Sequence, residues 1–150
     1  MADLTTTVTE SVVLNGALRG NTNTVTTTGI NNVFERIVAC ENSQTTTVAV
    51  FGTAPYSAAG AIDIQNARYI RITNLDADAW IEVAVVTATT NYQVLLTPGN
   101  SHILAQAEGV VVGEADTSPA WTNLGDLASI QVRPVGVSFD PQISIFVAAE

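Results

Sequence analysis

The chain has no lysine, one cysteine (Cys40), one histidine (His102) and one methionine, and only 13% of its 150 residues are charged. Each shortage removes a class of explanation. A lone cysteine allows no intrachain disulfide. One cysteine and one histidine are too few for a zinc site, which takes several such ligands. Cys40 closes the apolar run Ile37-Val38-Ala39-Cys40, the setting of a buried structural thiol and not of a nucleophile. The five basic residues, Arg19, Arg36, Arg68, Arg71 and Arg133, stand against fourteen acids, for a net charge of −9. Phosphate contacts need a basic footprint, so nucleic acid is not an expected partner, and an anionic membrane surface is disfavoured for the same reason. The apolar runs are too short to span a bilayer. The start, Met1-Ala2-Asp3-Leu4, has neither the basic nor the apolar region of a secretory signal, so folding in a cytosol is expected.

Catalytic groupings are missing as well. There is no Gly-x-Ser-x-Gly nucleophile elbow and no glycine-rich phosphate loop opening a helix. Nothing selects one pair among the acids for glycoside chemistry. The expectation is a protein that is not an enzyme and carries no cofactor and no metal. Asn74, Asp76 and Asp78 alternate like the start of a calcium loop. However, Ala79 stands where glycine is required and Val85 where the distal acid belongs, so a solvated hairpin turn is expected. Glu108, Glu114 and Asp116 are read in the same way, as a solvated acidic loop.

What is present is β structure. Hydrophobic residues make up 47% of the chain. A chain of this length buries roughly two-thirds of its unfolded surface and needs no staple. In Ala67–Leu104, Arg68, Ile70 and Ile72 alternate with Tyr69, Arg71 and Thr73, the two-residue period of a sheet. Asn74 to Asp78 supplies a turn, and Trp80 to Val86 returns as a strand that should bury Trp80 in the core. Tyr92–Leu96, Pro98-Gly99-Asn100 and Ser101–Leu104 repeat the plan.

Upstream, Thr5–Leu14 and Thr24–Thr28 read as Thr-rich strands, with a turn at Asn15-Gly16. Residues 1–5 are either a mobile arm or tied into the sheet. Val33–Cys40 has partly helical spacing, but its β-branched residues and short length favour a strand. Thr45–Phe51, Ile62–Ile64, Leu127–Arg133 and Ile143–Val147 complete the set, and Pro134-Val135-Gly136 reads as a turn. The sum is one all-β domain over residues 1–150. It is an antiparallel, jelly-roll-like β-sandwich of about eight to ten strands.

A surface so poor in charge points to association, because the cores of interfaces are depleted in charge. Arginine forms geometrically fixed pairs with carboxylates. The candidate interface residues are Arg19, Arg36, Arg68, Arg71, Arg133, Tyr56 in the small-residue loop 53–61, and Trp121 in an irregular stretch.

Tyr69-Ile70-Arg71-Ile72-Thr73-Asn74-Leu75-Asp76, the strand Ile81–Val86, and Tyr92-Gln93-Val94-Leu95-Leu96-Thr97-Pro98-Gly99 with Ser101 resemble small virion structural proteins of tailed bacteriophages, marine and cyanobacterial phages above all. The opening Thr-rich strand and Arg19-Gly20-Asn21-Thr22 ahead of Ile30 are similar too. The resemblance covers about the first two-thirds of the chain. It implies a β-sandwich subunit of the virion, either a decoration (cement) protein bound to the major capsid protein as a homo-oligomer, a trimer being favoured, or a tail, adaptor or fibre part. Read without the resemblance, a carbohydrate-binding sandwich using Tyr56 or Trp121 as a stacking platform is the alternative.

Overall fold

The computed structural model of the protein describes residues 1–57, 60–105, 109–111 and 125–150. In chain order the strands are β1 (Ala2–Thr9), β2 (Val12–Leu14), β3 (Ala17–Arg19), β4 (Thr22–Ile30), β5 (Asn32–Ala39), β6 (Thr46–Gly52), β7 (Ala61–Asp63), β8 (Ala67–Asn74), β9 (Trp80–Thr87), β10 (Asn91–Leu96), β11 (Ser101–Leu104), β12 (Gly109–Val111), β13 (Gly125–Val135) and β14 (Gln142–Ala149).

Eight of these strands make the body. One sheet runs β10-β9-β13-β6, extended by short β7 and β12, and the other runs β11-β8-β14-β5. The pairing has a simple logic. β5 pairs β14, β6 pairs β13, β8 pairs β11 and β9 pairs β10, all antiparallel. The chain is thus one long ribbon of paired strands, rolled so that successive pairs fall alternately into the two sheets. That is a jelly roll. Its eight strands match the lower bound of the expected number. The excess comes from β7, β12 and two N-terminal hairpins, β1·β4 and β2·β3. One pairing departs from the antiparallel expectation: β6 and β7 run parallel, after a short turn at Pro55–Ser57.

Alternation decides what is inside. Ile70 and Ile72 of β8, Ile81, Val83 and Val85 of β9, Ile130 of β13, and Ile143 and Ile145 of β14 are fully buried between the sheets. Burying each such side chain contributes about 1.5–3 kcal/mol. Cys40 is fully buried there too, and burial, helped by Asp140, pushes its thiol up to about 11. The segment with helical spacing is strand β5, paired to β14 along its whole length.

Two expectations need correction. Trp80 is not in the core and is half exposed. Ile81, Val83 and Val85 take the inward positions of β9, so Trp80 shares the outward parity of Glu82. Pro134-Val135 is not a turn, because β13 runs through it. Pro134 is paired to Ile81 of β9 on one side only, because β6 pairs β13 no further than Val132, and an unpaired strand edge is where proline is tolerated.

Candidate interaction surface

The N-terminal thirty residues form an arm. β1 and β4 pair from Ala2↔Ile30 to Thr9↔Thr22, so the first residues lie in a paired strand. One face of this ribbon is a threonine ladder, with Thr7 and Thr24, and Thr9 and Thr22, joined by hydroxyl hydrogen bonds of 3.2 Å. The other face carries Leu4, Thr6, Val8, Val25 and Thr27. β2 and β3 prolong the ribbon and close at Asn15-Gly16. There φ is +51° and +77°, the left-handed pair that a two-residue hairpin turn demands.

The base of the arm is anchored. Leu4 and Ile30 pack on Tyr69, Phe146 and Ala148, which lie on the outer face of the β11-β8-β14-β5 sheet. Tyr69 and Phe146 meet edge to face at 6.1 Å, worth about 0.5–1.5 kcal/mol beyond burial. This is why Tyr69 is buried although it lies on the face of β8 turned away from the core. Gly29, at φ +83°, redirects the chain, and Asn31 donates its N–H to Ala149 O before β5 begins.

The distal arm is different. Val12, Val13, Leu14 and Leu18 are 56–71% exposed. The register puts Val12, Leu14, Ala17 and Arg19 on one face and Val13 and Leu18 on the other, so the tip is apolar on both sides. A two-stranded hairpin is marginal in water unless a third layer covers it.

Beside the arm's footing the outer face of the sheet continues uncovered. Val33, Glu35 and Ile37 of edge strand β5 share that face, and Val33 and Ile37 are more than half exposed. A groove of about 250 Å³ separates arm and sheet, lined by Leu4 to Thr7, Tyr69, Arg71 and Phe146. The Arg71 guanidinium stacks on Phe146 at 5.7 Å, and its buried Nε has no hydrogen-bond partner.

The remaining candidates are scattered. Arg68 is held within the chain by Glu150, with its Nη2 at 2.7 Å and its Nε at 2.9 Å from one carboxylate oxygen. Arg36 lies 6.0 Å above Phe34 at the rim of the sandwich. Arg133 is the cross-strand partner of Glu82 on the outer face of the other sheet, beside exposed Trp80, Val135 and Leu95. Tyr56 is 92% exposed on the short turn before β7. Trp121, Glu108, Glu114 and Asp116 lie outside the described residues.

The structure gives the calcium-like turn a different task. Asn74 is completely buried. Its amide nitrogen donates to Ala79 O at 2.8 Å and Leu96 O at 3.2 Å, and its oxygen accepts from Asp76 N. Asp76 accepts from the N–H groups of Asp78 and Ala79, which hold its carboxyl below the usual range. Among the described residues no three His, Cys, Asp or Glu side chains gather as a metal site would require. His102 meets the Tyr92 hydroxyl at 2.8 Å across the edge where β10 and β11 face each other. Burial lowers the His102 pKa and raises that of Tyr92.

Sequence reasoning missed the arm tip as a surface, although Val12-Val13-Leu14 beside Asn15-Gly16 is an apolar hairpin with no polar alternation. It also missed Trp80, whose shared parity with Glu82 was the available signal. Comparison with protein-family models, curated proteins and solved structures found no match to the chain.

Proposed function

We propose that this protein is a structural subunit of a tailed-phage virion, a decoration protein that binds the assembled shell of major capsid protein and stabilises it. The observation that carries the assembly reading is the arm, footed on its own sheet by Leu4 and Ile30 and apolar on both faces at its free end. Such a tip gains free energy only when another surface covers it. Jelly-roll bodies serve both capsid and lectin domains, so the fold alone does not choose between them. The virion reading is favoured by the resemblance of Tyr69–Asp76 and Tyr92–Gly99 to phage structural proteins, and by a lysine-free, charge-poor composition.

The mechanism is mass action. A protein that binds the assembled shell and not its free subunits stabilises the shell in proportion to its occupancy. In this reading it performs no catalysis and needs no cofactor. It is made in the host cytoplasm and sits on the capsid surface as a homotrimer, where capsid three-fold sites favour cyclic symmetry. Its net charge of −9 suits neither nucleic acid nor an anionic membrane.

The test is reconstitution. Purified protein is added to particles that lack it, and particle disruption on heating is followed. Saturable binding with a higher disruption temperature supports the reading. Particles whose heat stability does not change would refute it.

A further inference from the structure

We infer that the apolar arm tip docks on the exposed outer face of β5 in a second copy of this chain. The inference rests on the assembly reading above and names the surface through which copies meet.

Reach comes first. At about 3.3 Å per strand residue, the roughly fifteen residues from Gly16 to Ile30 extend on the order of 50 Å. The eight-residue strands of the sheet beneath, β5, β8 and β14, span only about 26 Å on the same rise. That reach exceeds the sheet that seats the base, and among the described residues nothing covers the exposed Val12, Val13, Leu14 and Leu18, which leaves them for a surface on another molecule.

Complementarity selects which molecule. One face of the tip presents Val12, Leu14 and Ala17 with Arg19 at its end. The uncovered strip on β5 presents Val33 and Ile37 with Glu35 between them. Both sets are apolar and exposed, and each carries one charge, of opposite sign. Neither Arg19 nor Glu35 has an ion-pair partner among the described residues. Residues 11–20 carry a charge of +1, from Arg19, so with −9 for the whole chain the remainder carries −10. A tip of that sign is drawn to the acidic body of its own kind.

The strip also continues the surface on which the arm already sits, because Val33 pairs Ala148 and Glu35 pairs Phe146 in register. A second arm would therefore lie beside the first. Tip and strip are different surfaces, so contacts passed head to tail from each copy to the next close as a ring, as the trimer proposed above requires, whereas a reciprocal exchange of arms closes as a dimer.

The test is the solution mass of the full chain, by light scattering after size exclusion, for wild type, Arg19→Glu, Glu35→Arg and the double reversal. Circular dichroism confirms that each variant keeps its β-sheet. The expected result is a discrete multiple of 15.7 kDa for wild type. Each single reversal should weaken association by at least about tenfold, as opposed like charges do at an interface, and the double reversal should restore the multiple. A monomeric wild type, single variants of unchanged mass, or a double variant that stays dissociated while folded would each overturn the inference. None of these outcomes depends on particles, so failure of the virion reading would register separately, as absence of the protein from them.

Discussion

A side chain at Gly20 would collide with the carbonyl oxygen of Glu10, between β1 and β2, where the arm passes from its anchored ribbon to its free tip. Gly20 also holds φ at +104°, and Glu10 donates its N–H to Asn21 O at 2.9 Å beside it. Gly20→Ala is expected to break this junction, because the misfit adds strain on the order of 1–3 kcal/mol, which unpairing the tip releases. Amide exchange should quicken through Glu10–Asn21 while β8, β9, β13 and β14 keep their protection. Unchanged exchange in the tip would contradict the junction's role.

Asn74 ties the two sheets together at one end. Asn74→Ala leaves the carbonyls of Ala79 and Leu96 without their donor and empties a buried site. The expected loss is about 2–4 kcal/mol, seen as a lower midpoint in urea with an unchanged slope. A loss under about 1 kcal/mol, the worth of an exposed hydrogen bond, would show that the amide is dispensable.

Two groups divide the acid range between them. Burial depresses the His102 pKa below 6.5, so the unfolded chain takes up that proton first as pH falls. The His102 contribution is therefore complete above pH 6.5 and declines below it. The Asp76 carboxyl is depressed below 3.8 by the N–H groups of Asp78 and Ala79, so its contribution is complete above that value and is lost only in stronger acid. Urea midpoints measured against pH should lose the upper slope in His102→Gln and keep the lower one. Asp76→Asn should do the reverse.

The Cys40 thiol should be silent in the folded protein. With its pKa near 11 and no exposed surface, almost no thiolate is available at pH 8. A disulfide reagent should label it only as fast as the body unfolds. Rapid labelling of native protein would mean that the β5–β6 end opens locally.

Much of this fold is legible in the residues, and the exceptions have physical causes. The alternation of Ile70 and Ile72 against Tyr69 and Arg71 sets the inward face of β8, and Asn15-Gly16 sets the turn between β2 and β3. What alternation cannot show is that Tyr69 is buried too, since that depends on Leu4 and Ile30 of a distant arm packing on it. Trp80 misleads because aromatic bulk suggests core, while parity with Glu82 places it outside. Arg68 is drawn into an intrachain pair by Glu150, a partner visible only once β8 and β14 lie side by side. The arm is the least legible element. Its sequence announces strands and a turn, but not that its base is seated on the sheet while, among the described residues, nothing covers its tip.

The central claim, that this chain is a capsid-decorating subunit, is tested most directly by its copy number in purified virus particles, by quantitative gel against the major capsid protein. A ratio equal to that of the capsid protein, or a simple fraction of it, is the predicted result. A few copies per particle would assign the protein to a tail or fibre instead, and complete absence would contradict the virion assignment outright.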